Sequence, residues 1–374
     1  MGWPTVIYSE EVMREVFGIE ESPTPLQDRV RFLHALSDTG LKRISVGAFV
    51  SPRFVPQMAD FKELLRSFQP REGVAYLTFM HNRKARELAL EYSPPLTVED
   101  ELLTLFIDIC DVHQRRNVNR SIEESMLTWP ELIHDAQGRN IRQARVGIAS
   151  AWGSNFLGKF SQEYRLSFLA RQIEILQASG MEVVEIGLHD SQSFCLPHEM
   201  EADLIAIKQR WPQIKQFHLH MHDARGMALP SIYAALRTLS EDDTVLLDGT
   251  LGGMGGGQYC GNGQASRMAA TEDIIHMLEG MGVETGVDVN KLIDCVWMLE
   301  DIIGKPAFGH VSKAGPRPTR QSEFYDPNLP AIESLQAARH FKLGPKAYEN
   351  EGYSPWKAPI TGPFYPAPQA AAKP

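Results

Sequence analysis

Phe217-His218-Leu219-His220-Met221-His222-Asp223 alternates apolar and imidazole side chains over its first six residues. That period of two belongs to a β-strand, and it puts His218, His220 and His222 on one face with Leu219 and Met221 on the other. Outward from this run, short aliphatic or β-branched stretches recur at residues 5–8, 43–49, 74–79, 102–109, 145–149, 183–188 and 244–247, which with 217–222 makes eight strands. Between them lie segments of helical period, such as 26–39 and 164–180, the second closing on a Gly suited to the left-handed residue after a helix. Strand and helix in strict alternation predict successive βα units, and eight of them predict a (β/α)8 barrel.

After the eighth strand, residues 272–281 and 289–303 read as extra helices, so the barrel domain spans 1–305. Residues 306–374 form a Pro-rich C-terminal extension, with Pro306, Pro316, Pro318, Pro327, Pro330, Pro345, Pro355, Pro359, Pro363, Pro366, Pro368 and Pro374 excluding long helices. Its aromatics, from Phe324 and Tyr325 to Phe364 and Tyr365, are expected to pack on the barrel or on a second copy in a homo-oligomer.

Lys+Arg 37 against Asp+Glu 47 gives a net charge of -10, which leaves no electrostatic footprint for nucleic acid. A small anion in a locally basic cleft stays compatible with that balance. Cys110, Cys195, Cys260 and Cys295 are scattered without a CxxC pair, as in a reducing compartment. No apolar run approaches about 18 residues, and Met1-Gly2-Trp3-Pro4 has no basic leader, so the expected location is the cytoplasm, away from membranes.

Barrel chemistry gathers at the C-terminal ends of the strands. There His220 and His222 offer two nitrogens to one divalent metal, or hydrogen-bond to one another or to Asp223. The loop from Asp248 to Gly263 is so rich in Gly that it is a lid or a close backbone approach to a ligand. Its Cys260 is either a reactive thiol or a small buried hydrophobe. His189 and Asp190 end the sixth strand, where Asp190 can move a proton, orient a metal water or cap the next segment. Arg14, in Met13-Arg14-Glu15 after the first strand, supplies a permanent cation for a carbonyl or carboxylate, or a solvated helix face.

The run His220-Met221-His222-Asp223 with Gly226 and Ala228, then the Gly-rich loop, Ala270-Thr271-Glu272-Asp273, and Leu278-Glu279-Gly280-Met281-Gly282-Val283 closely resembles the 3-hydroxy-3-methylglutaryl-CoA lyases. Phe49-Val50-Ser51-Pro52-Arg53 and Asn117-Val118-Asn119-Arg120-Ser121-Ile122-Glu123-Glu124-Ser125 agree, and the likeness covers residues 25–300. These lyases are a branch of the DRE-TIM metallolyases. The resemblance implies a TIM barrel with a divalent metal, Mg2+ or Mn2+ or alternatively Zn2+, that cleaves a 3-hydroxy acyl-CoA into a keto acid and an acyl-CoA enolate. It assigns His220, His222 and Glu15 to the metal, Arg14 to carbonyl polarisation, and Asp190 and Cys260 to proton transfer.

Several positions depart from the pattern. Arg14-Glu15-Val16 stands where the family has Arg-Asp-Gly, with Glu10 and Glu11 as alternative acids, and Ser45 or Val46 replaces a Glu of the second strand. Gly257 takes the place of the loop Cys, with Cys260 three residues on. Met268 falls at the position of an amide ligand, and Asn262 is the nearby substitute. The alternatives are a condensing enzyme like the isopropylmalate and homocitrate synthases, or a ligand-binding barrel that has lost the parent chemistry.

Overall fold

The computed structural model describes residues 2–80, 82–256, 267–324, 327, 357–358 and 360. Its main strands are Thr5–Glu10 (β1), Arg43–Ala48 (β2), Ala75–Phe79 (β3), Leu102–Asp108 (β4), Gln143–Ala149 (β5), Glu182–Asp190 (β6), Gln216–Met221 (β7) and Thr244–Gly249 (β8). All are parallel, and they neighbour one another in the order β3-β2-β1-β8-β7-β6-β5-β4. First and last strands are partners, with Thr5 opposite Thr244 and Glu10 opposite Gly249. The sheet thus curls on itself, helices follow the strands, and the architecture is the α/β TIM barrel expected from the alternation. No ladder joins β3 to β4 among the described residues. Each of the eight strands read from sequence is present, its ends moved by one or two residues. β1, β6 and β8 run on past their apolar residues because the backbone of Glu10, Asp190 and Gly249 still has a ladder partner.

One face of the sheet is apolar. Leu103, Leu105, Ile107, Val146, Ile148, Ile186, Leu188, Phe217, Leu219, Val245 and Leu247 are all buried, and by the two-residue period they share the face that the helices cover. The opposite face, inside the barrel, carries charge. Arg145 sits 3.7 Å from Glu185, and an Arg43 nitrogen donates to Glu99 at 2.8 Å. Taking these groups out of water is costly unless each is paired, so the pairs position one another and fix the interior of the strands.

Helices start and stop where the side chains require. Gln162–Ala178 is capped by Ser161, whose hydroxyl accepts the Tyr164 amide at 3.1 Å, and the chain leaves it through Gly180 at φ 71. Ile122–Met126 carries a capping box between Ser121 and Glu124. Between β5 and this layer, buried Asp203 accepts the Trp152 indole N–H at 2.8 Å and an Arg165 N–H at 2.9 Å. After β8 come Thr271–Gly280 and Val289–Ile303, the two trailing helices expected.

The chain divides into two compact units, Met1–Gly309 and His310–Pro374. In the second, Val311–Ala314 forms a helical turn and Gln321–Glu323 a 3₁₀ turn. Apart from Phe308 and Phe324, the aromatic residues of the extension lie outside the described residues. Among the described residues no helix is long and apolar enough to cross a membrane.

Candidate active site

Asp248, at the C-terminal end of β8, organises the mouth of the barrel. Its Oδ2 accepts His218 Nε2–H at 2.7 Å and interacts with His220 Nδ1 at 3.0 Å. Burial alone raises a carboxyl pKa, but the two imidazoles reverse that and hold Asp248 well below its ordinary range. For His218 burial works against the proton, and Asp248 overcomes it and raises the pKa. His189 stacks on His220, ring centroids 5.0 Å apart, and meets Phe106 at 4.6 Å. Burial, then His218 and His220, depress its pKa well below the ordinary value and keep it neutral. The three imidazoles of the decisive run therefore do share one face, and Asp248, which opens the Gly-rich loop, is the residue that sequence reasoning passed over. An acidic residue ending an apolar strand is the signal that marks it.

The turn after β1 delivers a cation. Arg14 Nε donates to Glu11 at 2.7 Å, an Arg14 Nη lies 2.6 Å from Glu15, and the guanidinium covers the Phe79 ring at 5.5 Å. Burial disfavours this charge, but Glu11 and then Glu15 more than compensate and raise its pKa. Burial lifts the pKa of Glu11, with Arg14 opposing. Gly255, at φ +88, lets the loop backbone close on this turn, since a Cβ there would lie 2.9 Å from the Glu15 carbonyl. Glu10 is engaged elsewhere. Its carboxylate accepts the Val12 amide at 2.8 Å, the Leu251 amide at 3.0 Å and the Thr271 hydroxyl at 2.5 Å. Burial outweighs these bonds and pushes its pKa up to about 8.

A second group stands after β4. Asp108 is buried and hydrogen-bonded to His113 Nδ1, and it also accepts the Ser150 hydroxyl at 3.1 Å and the Cys110 amide at 2.9 Å. His113 Nε2 and His222 Nδ1 are both buried without a hydrogen-bond partner among the described residues. Burial, then His220, His113 and Arg14, keeps His222 well below its ordinary pKa and therefore neutral.

Two assignments drawn from the resemblance meet a different arrangement. Asp190, expected to transfer a proton, accepts the Phe194 amide at 2.8 Å on one oxygen and the Cys195 amide at 2.8 Å on the other. It anchors the loop after β6, while the helix that follows, Pro197–Arg210, starts without a side-chain cap, and burial raises the Asp190 pKa to about 6. Glu15, expected on the metal, is committed to Arg14. Cys260 and Asn262 lie outside the described residues.

The divalent cation implied by the resemblance needs Glu15, His220, His222 and an amide oxygen together. Instead, Glu15 lies 2.6 Å from Arg14, and Met268, at the position of the amide ligand, carries a thioether that does not serve a hard cation. Among the described residues, no three His, Cys, Asp or Glu side chains gather into a group that could hold a metal. The buried ring nitrogens left without a partner among the described residues are His113 Nε2 and His222 Nδ1. The described residues do not fit a resident divalent cation.

Residues 19–298 match the model of the HMGL-like family. The hydroxymethylglutaryl-CoA lyase of Bacillus subtilis is 30% identical over 291 residues, covering 77% of this chain and 91% of the relative. The mitochondrial hydroxymethylglutaryl-CoA lyase of Gallus gallus is 30% identical over 299 residues, 80% of this chain and 93% of that protein. The crystal structure of the Bacillus subtilis HMG-CoA lyase superposes with a TM-score of 0.68 at 29% identity, covering 83% of this chain and 98% of that one. Barrel and matched length agree, and the chain belongs to the HMGL-like family.

Proposed function

We propose that this chain is a carbon–carbon lyase that cleaves a 3-hydroxy acyl-CoA, in the manner of hydroxymethylglutaryl-CoA lyase, into a keto acid and a shorter acyl-CoA. The observation that carries the reading is Arg14, a guanidinium held charged at the barrel mouth beside Glu11 and Glu15 in a chain whose relatives bear that name. Retro-aldol cleavage removes the proton of the 3-hydroxyl as the neighbouring C–C bond breaks, and the bonding pair becomes an enolate on the thioester. The requirement is a fixed positive charge where that oxygen turns anionic, together with a nearby group to accept the proton. Arg14 meets the first need, and it pays no reorganisation cost because Glu11 and Glu15 already hold it in place. In this reading Cys260, on the Gly-rich loop, gives its thiol proton to the enolate carbon.

The test is turnover of 3-hydroxy-3-methylglutaryl-CoA by the full chain, with the keto acid and the acyl-CoA measured separately. Equal amounts of both support the reading, and Cys260→Ser is expected to lower kcat while substrate affinity holds. Binding of the thioester with no cleavage overturns the lyase in favour of a barrel that has kept the ligand and lost the chemistry.

A further inference from the structure

Asp108 and His113 belong to none of the segments that carry the likeness to the lyases, yet they form one of the most completely built polar groups in the barrel. Asp108 ends β4, so its side chain is at the C-terminal mouth, the end where barrel chemistry takes place. His113 lies in the first turn of Asp111–Val118. Asp108 binds its Nδ1, and the Ser150 hydroxyl and Cys110 amide bind Asp108 in turn. Ser150 is held at φ 49, a left-handed conformation that costs a non-Gly residue energy and here keeps the hydroxyl at 3.1 Å from the carboxylate. A carboxylate on Nδ1 selects the tautomer with the proton there and leaves a lone pair on Nε2. That Nε2 is buried and has no partner among the described residues. A structural His normally spends both nitrogens, since a buried acceptor left unsatisfied loses its hydration with nothing in return. The second imidazole with a nitrogen to spare is His222, and His113 and Arg14 are both among the groups that act on it. Dyad, His222 and guanidinium therefore converge on one region.

We infer that His113, oriented by Asp108, is the general base for the substrate 3-hydroxyl, a role that rests on the lyase reading of the same mouth. The hydroxyl proton moves to Nε2, and the O–H pair becomes the second bond of the keto product's C=O. The C–C pair passes to the acyl-CoA enolate beside Arg14, whose carbon is protonated by the donor of the lyase reading, and exchange with water on product release moves the imidazolium proton to that donor, so the enzyme ends as it began.

The experiment compares wild type, His113→Ala and Asp108→Asn as full-length proteins on 3-hydroxy-3-methylglutaryl-CoA, with folding checked by thermal melting. The expected result is a fall in kcat of about 10²- to 10⁴-fold in each variant, KM within about threefold, and partial recovery of His113→Ala by added imidazole. A folded His113→Ala at wild-type kcat overturns the inference and leaves the lyase reading standing. If His113→Ala does not fold, Asp108→Asn decides, and wild-type kcat in that variant is equally fatal. The tautomer is read directly by 15N NMR of the wild type, where a proton on His113 Nε2 rather than Nδ1 also overturns it. Wild-type protein without turnover removes the lyase reading and this inference together.

Discussion

Arg14 and Glu10 are four residues apart and do opposite work. Arg14 faces the mouth with its charge secured by two carboxylates, so Arg14→Ala should reduce kcat by about 10²- to 10³-fold. Steady-state kinetics check this, and an effect confined to KM would move Arg14 from the reacting oxygen to ground-state binding. Glu10 faces away and ties the first strand to Leu251 and Thr271. Its carboxyl shifts from 4.5 to about 8 on folding, with burial the main cause. Between those values the folded state holds a proton that the unfolded chain has released, so this group's contribution to stability is full below the lower value and declines as pH rises through the upper one. Glu10→Gln cannot ionise, and its melting temperature relative to wild type should rise on going from about pH 5 to about pH 9. The metal donors follow the same residue-level logic. With Glu15 on Arg14 and Met268 beside His222, elemental analysis of the purified chain should find divalent metal far below one equivalent. A full equivalent that disappears in His222→Ala would contradict this.

At the scale of elements, alternation was enough to place the strands. Apolar runs of the β6 and β7 kind are bounded by polar residues and Gly, and helices fill the intervals, so the order of elements and even the shared face of His218 and His220 could be read directly. What could not be read is what an element does after its last apolar residue. Asp190 has the same spacing whether it faces the cavity or receives two amides of its own loop, and only the path of residues 191–195 decides for the amides. His113 lies five residues beyond Asp108, in a helix with no marked periodicity, and nothing in the sequence says that the turn folds back on the strand end. Tertiary anchors are equally silent. Trp152, Arg165 and Asp203 come from three separate segments and share one buried carboxylate. Asp203→Ala strands a buried guanidinium and an indole N–H, so denaturant unfolding should show a loss of about 3–5 kcal/mol, against a few tenths for an exposed acid such as Glu174.

For the whole molecule, the barrel tolerates this degree of change because packing and chemistry occupy opposite faces of one sheet. The helix-covered face is aliphatic in the ordinary way and maintains the fold at 30% identity over 291 residues. The inner face and the strand ends are free to vary as long as each charge finds a partner. The frame therefore carries over from the relatives, while the side chains at the mouth must be read from this chain itself. In the proposed reading the mouth still breaks a carbon–carbon bond. The most direct measurement is the stoichiometry of product release from 3-hydroxy-3-methylglutaryl-CoA by the purified full-length protein. Keto acid and acyl-CoA are expected in equal amounts, with release slowed about 10²- to 10³-fold in Arg14→Ala. Intact thioester after prolonged incubation with saturating wild-type protein would contradict it.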